Sequence, residues 1–436
     1  MTSLEKYNHS VKRHHRWNTS VGWLDGIFFA LGGSLVSHIT VLPIFLRLLT
    51  ESKVIIGLVH TFTMVGIFLP QIISAHHIES MPRKKGLVIL IWAVMRLPWL
   101  VLALILPFIV HLPPPWPAGI FLLLYLVFTL GWGFGIPPWL DMVGRIILPR
   151  KRGAFLGIRF TLGRLFGMLG ALLSIYLIEA YAFPYNFALC FAAAFIFMNI
   201  SLFFFALTRE IPYPVVKKKI AFVDFMRALP DVFRRDHNFF FYNLSFSFIA
   251  FTNLTLAFYS VYAVERFSLP NSYAGIFTTV FMAAQVVTGV VWGFIGDRRG
   301  HKFCLILSAI MSILAAVTAY MAPSVHLFYA TFFFAGGYMS GALISNMNIV
   351  LEFCSPEERP LYIGLSNSFA APVFIVSPLL GGWLVDYFSY RTAFATAAVM
   401  TTIGLMILIF LVKDPRHFHP SCKKAPVDSQ NMEPVI

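Results

Sequence analysis

Charge is scarce in this chain. Lys, Arg, Asp and Glu make up 12% of its 436 residues, against about 25% in a soluble protein. Too little charge is present to wet a surface of this size, so lipid must replace water around much of the molecule. Acid is scarcer than base: 19 Asp and Glu stand against 33 Lys and Arg, for a net charge of +14. Cysteine is nearly absent. Cys190, Cys304, Cys354 and Cys422 are scattered with no CxxC pair, which fits neither a disulfide framework nor a zinc site. No P-loop pattern occurs, so coupling to ATP is not visible. The first 20 residues are polar and basic and carry no recognisable cleavable signal.

What is abundant is apolar and aromatic. Hydrophobic residues reach 58%, with 46 Phe and 9 Trp, as suits side chains that face lipid and belt its interfaces. About 20 apolar residues cross a bilayer as a helix. Twelve such segments can be marked: 22–46, 54–75, 86–111, 117–139, 154–178, 184–207, 239–263, 273–295, 303–322, 325–350, 361–384 and 391–412. The division between the ninth and tenth rests on Pro323.

Lys and Arg are shared unevenly among the connections. One alternating set holds Lys12, Arg13 and Arg16, Arg83 to Lys85, Arg145 and 150–152, Lys217 to Lys219 with Arg234 and Arg235, Arg298, Arg299 and Lys302, Arg359, and the bases of 413–424. The other set holds only Arg47, Lys53, Arg266 and Arg391. Positive loops stay in the cytoplasm, so both termini are expected there, in a plasma or bacterial inner membrane. Basic residues in short runs between apolar segments also argue against nucleic acid as a partner. The stretch 208–238 is the longest polar interruption. It reads as a cytoplasmic linker with a short amphipathic helix on the membrane surface (Phe222, Phe225, Met226, Leu229, Phe233). It divides a segment 1–21 and a six-helix bundle 22–207 from a second bundle 239–412, with a disordered tail over 413–436.

Two motifs recur. Gly293-x-x-x-Asp297-Arg298-x-Gly300-x-Lys302 is echoed by Ala75, Glu79, Pro82 and Lys84, with acid and base both displaced by 218 residues. Pro149, Arg152 and Gly157 reappear as Pro356, Arg359 and Gly364, each displaced by 207. Two echoes at equivalent loops point to a duplicated six-helix unit. The chain here resembles the major facilitator superfamily, whose signature between helices 2 and 3, repeated between 8 and 9, is similar to the Gly293–Lys302 motif. The first copy departs from it at Ala75, Glu79 and Pro82. The resemblance covers residues 17–412. It implies an all-α membrane protein of twelve transmembrane helices in two six-helix bundles, a central cavity, and alternating access.

Candidate functional residues fall into two groups. Glu79, Arg83 and Asp141 in the first half, and Asp297, Arg298, Lys302 and Glu352 in the second, are placed to latch the cytoplasmic ends of the bundles. Their alternative is a set of solvated loop charges. Ionisable groups inside a span are costly and point to function, which singles out Asp25 as a proton carrier or cation contact, or else the partner of a nearby base. Arg164 is either a substrate contact or one side of an internal pair with Asp141 or Asp25. Arg96 reads as structural, and His38 and His60 as hydrogen-bonded core. The resemblance places helices 7 and 10 on the cavity, which adds Asn253, Asn346 and Asn348. Glycines 157, 163, 167 and 170 form a small-residue packing face. His14–His15 and His76–His77 are adjacent pairs that do not share a helix face, so no metal site is assigned, and no cofactor.

The expected function is secondary transport of a small organic, amphipathic or drug-like solute, coupled to protons, by a monomer in the lipid bilayer. A lipid flippase on the same fold is the alternative. An embedded enzyme would need a convergent catalytic cluster, and none is evident from spacing.

Overall fold

The computed structural model describes residues 3–78, 83–148, 151–210, 232–233, 235–354 and 359–417. These are helical, with no strand among the described residues. Fifteen helices trace twelve passes, because three passes are broken. The first pass is α1 (Ser3–Leu35) and α2 (Val41–Arg47), and the second is α3 (Lys53–Ile78). The third comprises α4 (Lys85–Val94) and α5 (Leu97–Ile109). Then come α6 (Trp116–Ile146), α7 (Arg152–Ala180) and α8 (Tyr185–Ala206). The seventh pass comprises α9 (His237–Ile249), a 3-10 turn at Ala250–Thr252, and α10 (Asn253–Phe267). The rest are α11 (Tyr273–Arg299), α12 (His301–Met321), α13 (Val325–Glu352), α14 (Arg359–Tyr387) and α15 (Tyr390–Phe410).

Each break has a local cause. Between α4 and α5, Pro98 fits the first turn of a new helix but not the interior of an old one. Between α1 and α2, the Ser37 carbonyl accepts from the amides of both Thr40 and Leu42, and Pro43 lies in the first turn of α2. The break before α10 has neither Gly nor Pro. Thr252 and Asn253 side chains instead donate to the Ile249 and Ala250 carbonyls at 2.8 and 2.7 Å, competing with the helical ladder.

Each half packs extensively on itself, and one buried apolar cluster runs through both. In the first, α1 packs on α7 and α8, α3 on α6, and α5 on α8. In the second, α13 packs on α11 and α12, and α15 on α9 and α12. The glycine face of α7 meets α1: a Cβ on Gly170 would strike Ser34 and the Leu31 carbonyl, and one on Gly163 would press on Ala30. Gly157 faces open space. The halves meet where α3 packs on α14, α7 on α11 and α2 on α10.

Two boundaries differ from expectation. Helix α1 runs well before residue 22, and Trp17 and Asn18 dock it onto the backbone of Leu207 and Arg209 at 2.9 and 3.1 Å. Residues 413–417, expected to be disordered, are pinned: Asn238 and Lys413 exchange hydrogen bonds of 2.9 and 2.7 Å. The expected surface helix of the linker and the rest of the tail lie outside the described residues, apart from Val232 and Phe233.

Candidate functional site between the two halves

The ends of the passes nearest the linker carry one charged cluster per half. In the first, Asp141 of α6 accepts from Lys84 Nζ at 2.5 Å and Arg145 Nε at 2.8 Å. The amides of Lys84 and Lys85 donate to the Glu210 carboxylate at 2.8 and 2.9 Å, an acid at the N-terminus of α4 where the dipole favours it. Arg83, expected to serve this latch, stands exposed. Glu79 lies outside the described residues.

In the second half, Asp297 and Arg298 are exposed at the end of α11, and the Arg298 guanidinium covers the Phe294 ring at 3.9 Å. Lys302 forms no ion pair with a carboxylate among the described residues, though it lies in the field of Asp414. Its ammonium donates to the Val412 and Ile409 carbonyls at 2.7 and 3.3 Å, closing the C-terminal end of α15. Gly300 joins α11 to α12 with φ +92°, a conformation natural to glycine. Any Cβ there would strike Arg416, which donates to the Arg299 carbonyl at 2.7 Å and pairs with Asp414 at 2.9 Å. The Asp414 carboxylate holds the Arg416 guanidinium pKa above its ordinary value. Glu352 ends α13 close to Arg416 and Asp414. The lysines 84 and 302 are equivalent by repeat, yet one pairs an acid and the other caps a helix.

Deeper in, Asp25 is buried and used on both oxygens. Arg159 Nη2 donates to one at 2.6 Å and Ser201 to the other at 2.6 Å. Arg159 also donates to the Gly22 carbonyl at 3.1 Å and lies over Trp139 at 4.8 Å. The partner of Asp25 is therefore Arg159, not Arg164, and the pair ties α1 to α7 and α8 inside the first half. Arg96 is fully buried at the break of the third pass and donates to the Trp92 carbonyl at 2.7 Å. Asn346 accepts from Tyr242, and exposed Asn348 donates to its own helix at Ile344, 2.7 Å away.

Arg164 and Asn253 do bridge the halves. Arg164 Nε of α7 donates to Gln285 Oε1 of α11 at 2.8 Å. His60 of α3 meets Asn253 Oδ1 at 2.8 Å. Thr61 donates to the Ile375 carbonyl at 3.1 Å, and Phe68 packs on Phe374 at 5.5 Å. Arg164 lies twelve residues into α7, about 18 Å from its linker-side end. These contacts join the halves at mid-depth.

Beyond them, toward the face that carries Arg47, Lys53, Arg266 and Arg391 (the distal face), the halves are sealed. Thr40 bonds Thr278, and Ser260 donates to the Ile39 carbonyl at 3.3 Å. Arg47 donates to Asn271 at 2.8 Å. At the rim, Asp386 of α14 accepts from the amides of Lys53 and Val54 at 2.9 and 3.1 Å, and from Ser52 at 3.2 Å. A carboxylate of one half thus caps a helix of the other. Lys53 Nζ pairs with Glu265 at 2.6 Å, and Tyr390 donates to the same carboxylate at 2.7 Å. Gly57 permits the approach, since its Cβ would lie 2.5 Å from the Pro378 carbonyl. The hydrogen bonds and ion pairs named above that join the halves lie from mid-depth to this face.

Lys53, Glu265, Asp386, Arg159 and Glu210 were not singled out from the sequence. A signal was present for the rim: Lys53 is one of four bases on its sparse side, and Glu265 and Asp386 are acids in the same loops. Counting bases alone passes over them.

This architecture defines an integral, multi-pass helical membrane protein with two halves packed on one another. Residues 240–432 match the family model for the Major Facilitator Superfamily. The Klebsiella pneumoniae (strain 342) multidrug resistance protein MdtG is 25% identical over 162 residues, 37% of this chain and 38% of that protein. The Homo sapiens solute carrier family 67 member A1 is 30% identical over 173 residues, 36% of this chain and 39% of that protein. The matched stretch thus spans about two-fifths of the length of these curated relatives. Among solved structures, the nucleoside transporter NupG aligns with TM-score 0.71 at 12% identity, over 90% of this chain and 99% of its own. A D-xylose–proton symporter aligns with TM-score 0.68 at 15% identity, over 92% of this chain and 99% of its own. The second half of the chain thus matches the Major Facilitator Superfamily, and the chain as a whole shares the fold of these solved transporters.

Proposed function

We propose that this protein moves a small amphipathic organic solute across the membrane by alternating access, driven by protons. The carrying observation is the seal itself. It is made of contacts between halves, from Arg164–Gln285 at mid-depth to the Asp386 cap on α3 at the rim. Such a seal parts as a unit when the halves rock, without unfolding either. With the linker and termini in the cytoplasm, the state seen here is closed outward. Aromatic side chains at mid-depth, Phe68, Phe374 and Phe246, suit an apolar body. Arg164, Gln285 and Asn253 supply a few oriented polar groups, the usual composition of a small-molecule site. The multidrug resistance relatives point to the same solute class.

The test is uptake in proteoliposomes of three radiolabelled probes, tetraphenylphosphonium, uridine and xylose, with and without an imposed pH gradient. Gradient-dependent movement of the amphipathic cation is expected. Preference for the sugar or nucleoside would overturn the solute class, and indifference to the gradient would overturn the coupling.

A further inference from the structure

Two imidazoles meet where three broken or crossing elements converge. His38 lies in the turn between α1 and α2, and His60 on α3, with ring centroids 5.4 Å apart. His60 is fully buried and reaches across the halves to Asn253 at the break of the seventh pass. The proton positions follow from the partners. The Asn253 amide nitrogen donates to the Ala250 carbonyl at 2.7 Å, so its Oδ1 is the acceptor facing His60. His60 Nε2 must then carry the hydrogen, and in the neutral ring Nδ1 is a bare lone pair. That Nδ1 is buried and without a hydrogen-bond partner.

We propose that His60 Nδ1 is the proton-binding site of the coupled cycle, and that its protonation opens the distal seal. The inference rests on the proton-driven transport reading above and names its acceptor. Elements packed around the ring offer it no counter-charge. His38 faces it from the first pass. Tyr125 of α6 is engaged with Thr63, and Tyr259 of α10 with Thr255, at 2.6 and 2.9 Å. Arg164 is held by Gln285, while Arg47, Lys53, Glu265 and Asp386 are engaged at the rim. Among the described residues no carboxylate bonds to either imidazole.

A proton taken up on Nδ1 therefore turns an idle acceptor into an unpartnered donor and places a cation against a second imidazole in a dry interface. Both effects disfavour the sealed arrangement. A group that binds a proton better in one state than another shifts the population toward that state. Uptake with the distal side open and release after closure then couple one proton to one turn of the cycle. Imidazole is the side chain whose ordinary titration falls in the physiological range.

The experiment reads conformation and needs no solute. Spin labels are placed at Glu51→Cys and Tyr387→Cys, exposed distal positions in opposite halves, in a Cys422→Ala background. Inter-label distances are recorded from pH 8 to pH 5.5. The separated population is expected to rise roughly threefold or more on acidification. His60→Gln, which keeps an amide donor toward Asn253 and removes the titration, is expected to show the pH 8 distances throughout. A wild-type population indifferent to pH, or an unchanged response in His60→Gln, overturns the proposal whatever the transport assay shows. Should His60→Gln fail to fold, 15N-histidine spectra of the unsubstituted chain decide. The proposal requires Nε2-protonated neutral His60 at pH 8, becoming imidazolium on acidification. The opposite tautomer, or no titration, overturns it.

Discussion

Asp25 is bound on both oxygens by Arg159 and Ser201, which is the arrangement of a structural pair. Removing one partner from a buried pair costs about 3–5 kcal/mol, while replacing both by apolar groups is often neutral. Asp25→Asn is expected to lower the thermal midpoint in detergent sharply, and Asp25→Leu with Arg159→Met to recover most of the loss. An Asp25→Asn protein as stable as wild type but uncoupled in transport would return this residue to the coupling machinery. At the loop before α4, Lys84→Met is expected to destabilise by about 1–2 kcal/mol through loss of a buried cation on Asp141. Arg83→Met should stay within about 0.5 kcal/mol, as exposed substitutions do. The sequence placed an acid–base latch here without selecting the right base. Spacing fixes which loop a charge occupies, but neighbouring side chains leave a helix start in different directions. His60 was harder still, since nothing in its own segment says that an amide from residue 253 stands opposite.

At the scale of elements, hydropathy located the passes well because twenty apolar residues have few other places to go. It passed over the breaks in the first, third and seventh, because an apolar run resumes directly beyond each. Pro43 and Pro98 mark two of them; the break before α10 depends on Thr252 and Asn253 turning on their own backbone. The duplication likewise showed that α3 and α11 are equivalent, but not that α3 would be capped by Asp386. That cap combines a helix dipole with three short hydrogen bonds. Its loss in Asp386→Ala is expected to favour the distal-open state by about 1–2 kcal/mol, a five- to thirty-fold change in population on the order given by that energy. The same Glu51 and Tyr387 label pair measures it. Gly57→Leu should act in the same direction, since its side chain must displace the Pro378 carbonyl.

For the whole molecule, orientation is the first quantity to establish. A thiol at Glu51→Cys is expected to react with a membrane-impermeant maleimide added to intact cells, and one at Arg83→Cys only after permeabilisation. The reverse pattern would place the linker outside and make the state seen here open outward. The resemblance was legible from the Asp297–Lys302 motif because it sits at a tight, charged junction between α11 and α12, turned by Gly300. The centre was not legible, because it is assembled from residues 121 to 314 positions apart. That separation bears on how the chain is made. A ribosome delivers α3 to the bilayer long before Asp386 exists, so the first half completes its insertion with the distal end of that helix unfinished. Final settling of the early passes must wait for the eleventh, making biogenesis a two-stage process in which the late half edits the early one.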